Sequence, residues 1–472
     1  MSRVLKSYFG NPSSLYKKAV ESAVILDESR LVCATTIHAI SQEIIFTGSA
    51  SEANNMVIKS VADNSNKKRI LSTPIEHASV IKTLEYLGSK GFEIVFIPID
   101  SNGRIIISEF EKLLDDNTML VSCMYANNET GVIQDIQLLS KLAHSKNIPI
   151  FADCVQALGK IPVDVNELGV DYASFSAHKI NGPKGVGMLY VRSNMPIHPF
   201  IHGGHQEHEL RAGTESLHNI AGFAEACKAI QNMPLKMKKL SKQKEFFISE
   251  IYRIKPDAII TSPQNDFGLP NTINVSFPGI NNAHIIAVLN FFNISVSAGS
   301  ACNTQSNDPS HVLKAVGLTD QQARESVRFS MSSQTSWGDL KYTLRVISKF
   351  IQGKFPPIEM YEPKILNEDF LFSSDTYILD VRFWYDRVLV KGIPNSNEIP
   401  FFTFKKFLKQ IPHDKQIVVV CQGGYNAPIV AFELALRGYK RVGFLTLGIL
   451  GWKQSYPLIY EKYGNQNIKK LK

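Results

Sequence analysis

Two short apolar runs in the first half of the chain predict buried β-strands. The first, at residues 148–153, ends in the carboxylate of Asp153, and the second covers residues 171–175. Gly182 and Pro183 then predict a tight turn, which keeps the preceding side chains at the carboxyl edge of the sheet. Ligands of α/β folds bind at that edge, so the pattern predicts a site close to Asp153.

Small residues mark a strand-to-helix junction nearer the N-terminus, where Gly48, Ser49, Ala50 and Ser51 follow one another. Backbone N–H groups and a hydroxyl can approach a phosphate at such a junction, and the helix dipole favours the anion. The junction is therefore a candidate phosphate site, although an isolated Gly/Ser turn would indicate little by itself.

The pattern changes in the last quarter of the chain. Residues 352–364 contain three prolines and predict a semi-rigid linker. A new alternation of strands and helices follows, in which residues 418–420 predict a central parallel strand. We therefore expect a first domain at residues 1–351 and a second, α/β domain at residues 365–472.

Length and composition are typical of a globular protein. The chain has 472 residues, 44% hydrophobic and 20% charged, which suffices for two or three domains. No apolar run approaches the ~20 residues that span a bilayer, and the N-terminus lacks the apolar region of a signal peptide. We expect a soluble, cytoplasmic protein that is not bound to membranes.

Charge and cysteine content narrow the classes of partner. The formal charge of +8 comes partly from residues 236–244 and 469–472, whose spacing predicts solvated faces. Direct binding of nucleic acid is therefore less expected than docking to an acidic protein. The six cysteines are scattered and include no Cys-x-x-Cys pair, so we expect reduced thiols and no metal site.

Lys179 is the strongest chemical signal, because it lies between a predicted strand and a glycine-rich turn, as a Schiff-base lysine does. Ser176 and His178 add hydrogen-bonding groups suited to a phosphate. A strand-end Asp153 upstream of this lysine suggests pyridoxal phosphate, whose pyridine nitrogen needs a carboxylate that keeps it protonated. Taken singly, Asp153 could instead cap a helix and Lys179 could be a solvated loop lysine.

A run of motifs in fixed order makes the first domain resemble a known family. From residue 9 to about residue 351 the chain resembles the cysteine desulfurases of the nitrogenase and iron–sulfur-cluster type. The resemblance implies a fold-type-I pyridoxal phosphate enzyme, with a large domain built on a mainly parallel sheet and a small α+β domain. The motifs lie at residues 9–14, 46–55, 76–77, 127–131, 211–214, 297–302 and 326–330.

The resemblance also implies roles for single residues. His77 would stack on the cofactor ring and help to move protons, and Gln156 would donate a hydrogen bond to the phenolate oxygen of the cofactor. Asn128 and Arg328 would hold the substrate carboxylate, the arginine through its bidentate fork. Thr214 would reach the phosphate of the neighbouring subunit, which implies a homodimer.

Cys302 selects the reaction. Its preceding neighbours are small, and the polar run at residues 303–309 has no apolar periodicity and predicts a mobile loop that can deliver sulfur outward. The resemblance implies that the Cys302 thiolate attacks the sulfur of L-cysteine, which leaves a persulfide and releases L-alanine. An aminotransferase would need no such thiol, and a catalytically impaired sulfur carrier or scaffold would make no alanine.

The second domain resembles a rhodanese domain over roughly residues 365 to 460. Cys421 opens a loop in which Gly423 and Gly424 allow backbone N–H groups to point at one sulfur and to stabilise a thiolate or persulfide. Cys421 is therefore the candidate second sulfur carrier. Rhodanese loops usually carry an arginine where this chain has Asn426, so transfer from small anions such as thiosulfate is doubtful.

Two further expectations follow from the resemblance. The opening strand of the family has no counterpart before residue 9, which predicts an incomplete N-terminal segment. The final sulfur acceptor is expected to be an iron–sulfur scaffold or a protein of tRNA or cofactor thiolation.

Overall fold

The computed structural model describes residues 1–230, 233–298, 309–424, 426–463 and 469–470. Its first part is a seven-stranded sheet in the order β1-β7-β6-β5-β4-β2-β3, in which β7 runs antiparallel to its two neighbours and the other pairs are parallel. The strands are β1 Ile44–Thr47, β2 Arg69–Ser72, β3 Glu93–Phe96, β4 Thr118–Met124, β5 Ile150–Asp153, β6 Tyr172–Ser176 and β7 Gly187–Val191. The helices are α1 Ser2–Ser7, α2 Lys17–Thr36, α3 Ala50–Asn64, α4 Ala78–Gly88, α5 Ile107–Leu113, α6 Ile136–His144, α7 Val165–Leu168 and α8 Leu217–Ile230.

The central strands β4, β5 and β6 are buried at every position, as expected of parallel strands that are covered on both faces. Both strands predicted from the apolar runs are present, as β5 and β6. Asp171, which was predicted as the first residue of the second strand, lies just before it, and its carboxylate accepts the backbone N–H of Ile150.

A second, antiparallel sheet of four strands has the order β10-β11-β9-β8. Its strands are β8 Ile259–Ile260, β9 Thr272–Ser276, β10 Ser297–Ala298 and β11 Ser326–Ser330. The helices of this part are α9 Met233–Ile254, α10 Asn282–Phe291, α11 His311–Ala315, α12 Asp320–Arg324 and α13 Trp337–Ile351. The polar run at residues 303–308, predicted as a mobile loop, lies outside the described residues.

The third sheet is parallel throughout, in the order β12-β16-β15-β13-β14-β17. Its strands are β12 Glu359–Tyr361, β13 Thr376–Asp380, β14 Asn397–Glu398, β15 Gln416–Val420, β16 Val442–Leu445 and β17 Lys469–Lys470. The accompanying helices are α14 Glu368–Phe372, α15 Trp384–Leu389, α16 Ala427–Leu436, α17 Gly448–Ser455 and α18 Pro457–Tyr463. β15 contains the predicted central strand, so the chain has the predicted α/β class with a second α/β sheet at its C-terminal end.

The segment predicted as a semi-rigid linker is part of the folded structure. Glu359–Tyr361 forms the edge strand β12, which pairs with β16. Phe355 packs against Phe292 of the preceding part and Phe432 of α16, with ring centroids 5.3 and 5.8 Å apart. Prolines alone predict a spacer, but the apolar residues between them bury enough surface to dock the segment.

Helix α16 joins the second and third sheets. Phe432 on α16 meets Phe291 at the end of α10, with ring centroids 5.5 Å apart. Ile285, Val288 and Leu289 of α10 belong to the same buried apolar cluster as the α16 side chains. The part that contains the second sheet and the part that contains the third sheet therefore share one core.

No helix among the described residues is long and apolar enough to cross a membrane.

Candidate active site

A cavity of about 290 Å³ opens at the carboxyl edge of the first sheet and gathers ten of the residues that the sequence predicts for a site. These residues are Ala50, Ser51, His77, Asn128, Asp153, Gln156, Ser176, His178, Lys179 and Arg328. They come from three helix starts, two strand ends, two loops and a strand of the second sheet. The volume is at the lower end of the range for small-molecule pockets.

Asp153 anchors the floor of the cavity at the end of β5. Its side chain is only 5% exposed. One carboxylate oxygen accepts the backbone N–H of Val155 at 3.0 Å, and the other accepts the amide of Asn54 at 3.1 Å. Because two donors satisfy the carboxylate, a buried negative charge can persist here and face a positively charged ring nitrogen.

Lys179 lies in a single 3₁₀ turn, Ala177–Ile180, that directly follows β6. β6 is the neighbour of β5, and Asp153 pairs in register with Ser174, so the strand ends bring the carboxylate and the amine to one edge. Asn181 ends the turn in the left-handed region with a φ of 66°, a conformation that asparagine tolerates better than most residues.

His178 faces the pocket as a neutral ring. Its Nδ1 lies 2.8 Å from the Ser176 hydroxyl. Burial lowers the pKa of His178, and the positive charges of Lys179 and Lys184 lower it further. At neutral pH the neutral ring and the hydroxyl are therefore available as hydrogen-bond partners for an anion.

The start of α3 forms the predicted phosphate junction. Ser49 caps the helix by accepting the backbone N–H of Glu52 at 3.2 Å. Gly187 lets β7 approach this turn closely, because a Cβ there would lie 2.6 Å from the Ser49 carbonyl carbon and 2.7 Å from the Ala50 nitrogen. The helix start is thereby held beside Lys179 with its backbone donors towards the pocket.

Glu52 connects this junction to the segment that carries Thr214. Its carboxylate accepts the backbone N–H of Gly48 at 2.9 Å and pairs with Arg211 Nε at 2.9 Å. Thr214 itself is exposed and does not line the cavity. Within one chain, the structure therefore does not bring Thr214 to the other predicted residues.

His77 caps α4 and is held by one neighbour. Its Nδ1 accepts the backbone N–H of Ser79 at 3.1 Å and lies 2.8 Å from the Ser79 hydroxyl. Since Nδ1 accepts a hydrogen bond, the proton of the neutral ring is on Nε2. This capping fixes the ring at the mouth of the cavity.

Arg328 reaches the cavity from β11 of the second sheet. Its Nη1 donates to the backbone carbonyl of Asn128 at 2.6 Å. Arg328 also pairs in register with Ser297 of β10, the strand that leads towards Cys302. A single arginine in a strand is usually a surface residue, so the prediction for Arg328 rested on the resemblance, and its placement is decided by the packing of the two sheets. Cys302 itself lies outside the described residues.

The pocket also contains groups that the sequence analysis did not single out for the site. Glu76 is buried, and its Oε1 accepts the hydroxyl of Thr73 and the backbone N–H of Met124. Burial raises the pKa of Glu76 to about 8. Glu129 accepts the hydroxyl of Ser310 at 2.6 Å, and burial raises its pKa also. Glu76 directly precedes His77 in the sequence, and this position could have predicted that Glu76 lines the pocket.

The residues present fit pyridoxal phosphate. The helix start at Ala50 and Ser51, together with Ser176 and His178, supplies the donors that a phosphate needs. The carboxylate of Asp153, which accepts hydrogen bonds from two donors, supplies the negative charge that a protonated pyridine nitrogen needs. Asn54 of α3, whose amide donates to Asp153, retains a buried Oδ1 without a hydrogen-bond partner. Lys179 and Arg328 supply the two cations that an anionic cofactor and substrate require.

The second predicted sulfur carrier, Cys421, lies at the carboxyl end of β15 in the third sheet, in a different environment from the cavity. It is 3% exposed, and its Sγ accepts the backbone N–H of Ala427 at 3.4 Å. Burial raises its pKa, and backbone N–H groups of Ala427, Asn426 and Gly424 oppose that increase. The resting thiol therefore has a raised pKa, and of the predicted pair Gly423 and Gly424, Gly424 is among these donors.

The neighbouring charged side chains do not offset the raised pKa of Cys421. Asp380 and Arg382 are fully buried and pair with each other at 2.8 Å, and Arg382 reaches the loop only through the amide of Gln422 at 3.3 Å. The Asp380 carboxylate is a further, small contribution to the raised pKa of Cys421.

Comparisons with known proteins match both parts of the chain. Residues 1–342 match a family model described as aminotransferase class-V, and residues 366–455 match one described as a rhodanese-like domain. A cysteine desulfurase IscS of Dictyoglomus turgidum is 42% identical over 355 residues, which cover 75% of this chain and 90% of that protein. A mitochondrial cysteine desulfurase of Arthroderma benhamiae is 37% identical over 353 residues, which cover 73% of this chain and 69% of that protein. A solved NifS-like protein superimposes with a TM-score of 0.70 at 36% identity, covering 75% of this chain and 94% of that one.

Proposed function

The chain belongs to the class-V aminotransferase family and, within it, to the cysteine desulfurases, and we propose that its cavity holds pyridoxal phosphate and takes sulfur from L-cysteine. The observation that carries this proposal is the meeting of Lys179 and Asp153 at adjacent strand ends inside one cavity. Pyridoxal phosphate, when bound, supplies an electron sink that labilises bonds of an amino acid attached to it. The remaining steps are assigned to side chains of this chain.

Four residues bind and orient the cofactor and the substrate. Asp153 would keep a ring nitrogen protonated, and His77, fixed by Ser79, would lie against the ring of the cofactor. Arg328 holds the substrate carboxylate together with Asn128, whose carbonyl already orients the guanidinium. The amine of Lys179 would hold the cofactor and would move a proton at the substrate's Cα.

Cys302 is the proposed acceptor of the sulfur. A new S–S bond to its thiolate forms while the C–S bond of L-cysteine breaks, and L-alanine leaves after protonation. The pairing of Ser297 with Arg328 supports this assignment, because the chain leaves β10 next to the arginine that holds the substrate.

Cys421 is the proposed second carrier. Helix α10 leads into β10 and packs on α16, the helix that begins directly after the Cys421 loop. The shared core thus supports a defined relation between β10, which leads towards Cys302, and the Cys421 loop. Backbone donors around Cys421 suit a persulfide more than the resting thiol, since a persulfide is the more acidic group.

The remaining assignments complete the proposal. Domain limits are residues 1–351 and 365–472, with residues 352–364 as a folded connection. Thr214, exposed in one chain, contacts the phosphate of a second copy, so the active form is a homodimer. The protein acts in the cytoplasm, and its sulfur passes to an iron–sulfur scaffold or to a thiolation protein.

The experiment follows alanine and protein-bound sulfur together after exposure to ³⁵S-labelled L-cysteine. The wild type makes both, and Cys302→Ala makes neither without added reductant. Cys421→Ala still makes alanine but retains sulfur only on Cys302. Alanine formation that is independent of Cys302 would favour an aminotransferase, and sulfur uptake without alanine would favour a carrier.

A further inference from the structure

Lys160 is a cation of the site region that the proposed chemistry does not use. It follows Gln156 by four residues in the turn that leaves Asp153. The turn is closed by backbone hydrogen bonds from Leu158 to Cys154 and from Lys160 to Ala157. Side chains four residues apart in such a turn lie on one face, so Lys160 and Gln156 can meet.

Gly159 gives the turn its direction. It has a φ of 72°, in the left-handed region, and a Cβ there would lie 3.0 Å from the Cγ2 atoms of both Ile180 and Ile230. A side chain at residue 159 would be strained and crowded. The turn at Gly159 therefore changes the direction of the chain just before Lys160. The ammonium of Lys160 donates a hydrogen bond to Gln156 Oε1.

This hydrogen bond determines which end of the amide faces the pocket. An ammonium has three donors and no acceptor, so only the amide oxygen can face Lys160. Gln156 lines the cavity, and the end that remains for the cavity is the NH₂ group at Nε2. A lysine without its proton could accept from Nε2 as well, and the amide could then turn over.

The surroundings of Lys160 make its protonation sensitive to the cavity. Burial lowers the pKa of Lys160 to about 7, and the positive charges of Lys179 and Arg328 contribute to the lowering. These two cations are also the groups that an anionic cofactor and a substrate carboxylate would offset. Filling the cavity with anions therefore favours the ammonium form, in which Gln156 is fixed.

We propose that Lys160 is a positioning residue whose ammonium fixes the amide of Gln156 with its NH₂ group towards the cofactor, and thereby controls the proton affinity of the bound cofactor. This inference rests on the proposed pyridoxal phosphate site. Lys160 need not touch the reacting atoms. It acts through Gln156, whose donated hydrogen bond stabilises a negative charge on the ring oxygen.

The test measures the pH midpoint of the absorption of the bound cofactor in the full-length holoenzyme. Lys160→Met keeps the length of the side chain and removes the charge, and we expect the midpoint to rise by about one pH unit. Lys160→Arg keeps the charge and a donor and should shift it by less than about a third of that. Lys146→Met, a change at an exposed lysine that follows α6, is the matched control and should leave the midpoint in place.

A double-mutant cycle separates positioning from a direct charge effect. In a Gln156→Ala background, Lys160→Met should shift the midpoint by less than about a third of its effect in the wild type. A full shift in that background overturns the positioning role, as does an unchanged midpoint in Lys160→Met alone. A wild type that binds no cofactor at Lys179 contradicts the proposed function instead, and melting curves of each variant identify those that fail to fold.

Discussion

The cavity at Lys179 and the loop at Cys421 both lie at the carboxyl ends of parallel strands, but different groups surround them: charged side chains line the cavity, and backbone N–H groups surround the thiol. In the cavity, ionic side chains converge: Lys179, Arg328 and Asp153 face one space. At Cys421 the groups among the described residues that oppose the raised pKa of the thiol are backbone N–H groups. The ionic pair nearest to the loop is fully buried and engaged with itself.

The difference teaches what each site can do. A cavity lined by charged side chains can hold an anionic cofactor and an amino acid substrate. A buried neutral thiol under backbone donors is slow to react by itself and lacks a cation that would capture a small anion. It suits a group that arrives already activated, such as the persulfide of another cysteine.

Removing the amine of Lys179 tests whether the charged side chains of the cavity carry the proposed activity. Lys179→Ala should lower the rate of alanine formation from L-cysteine by roughly 10³-fold or more, because the covalent attachment and the proton transfer depend on this amine. The measurement is alanine release under saturating pyridoxal phosphate. Lys184→Ala, at an exposed lysine five residues further on, should keep the wild-type rate. Equal losses in both variants would contradict the assignment.

The shared core that joins the two regions can be broken at Phe432. Phe432→Ala should lower the free energy of unfolding by about 3–5 kcal/mol, because it leaves a cavity against Phe291 and Phe355. Denaturant unfolding followed by fluorescence measures this loss. Phe402→Ala is the control, since Phe402 is 78% exposed and should cost less than about 1 kcal/mol. Similar values for both would mean that the two parts are joined loosely.

The pH dependence of Cys421 sharpens the contrast in charge. Burial raises its pKa above the ordinary thiol value, so the thiol is protonated at neutral pH and the thiolate fraction grows as pH rises. The rate of alkylation at Cys421 should therefore rise by about a hundredfold from pH 7 to pH 9, without a plateau. Peptide mapping by mass spectrometry follows this one thiol. A plateau near neutral pH would show that the loop stabilises the thiolate after all.

The substrate arginine is the next test of the ionic cavity. Arg328→Ala should raise the KM for L-cysteine by about 30-fold, since it removes a charge-assisted hydrogen bond to the carboxylate. Steady-state kinetics measure the effect. The exposed Arg324→Ala, on the preceding helix, should leave KM unchanged. A loss in kcat with an unaltered KM would place Arg328 outside substrate binding.

A cation added to the Cys421 loop should make the two regions more alike. Asn426→Arg should lower the pKa of Cys421 by about one unit, which is a tenfold faster alkylation at neutral pH, and should allow some transfer from thiosulfate. Asn426→Gln lengthens the side chain without charge and should change neither property. An Asn426→Arg protein that alkylates at the wild-type rate would show that burial, and not the missing cation, limits the thiol.

Local patterns were enough to predict much of the cavity. The apolar runs that close on Asp153 and precede Lys179 became β5 and β6, and the small residues at Ala50 became the start of α3. These predictions depend on strand ends and helix starts, which are set by residues close in sequence. The proposed roles of these residues remain predictions.

Other features depend on residues that are distant in sequence. Arg328 enters the cavity only because the second sheet packs beside the first, and Lys160 matters only because a left-handed glycine returns its chain to Gln156. The proline-rich segment at residues 352–364 looked like a spacer, because composition does not reveal which apolar side chains find partners.

The sequence by itself determined the α/β class, the lysine and carboxylate of the cavity and the presence of a second, rhodanese-like part. Those properties follow from residue type and short-range order along the chain. Only the tertiary structure decided that the two parts share a core through α10 and α16, and that Cys421 is a buried thiol with a raised pKa. Burial and shared cores are sums over contacts between distant segments, so no local pattern contains them.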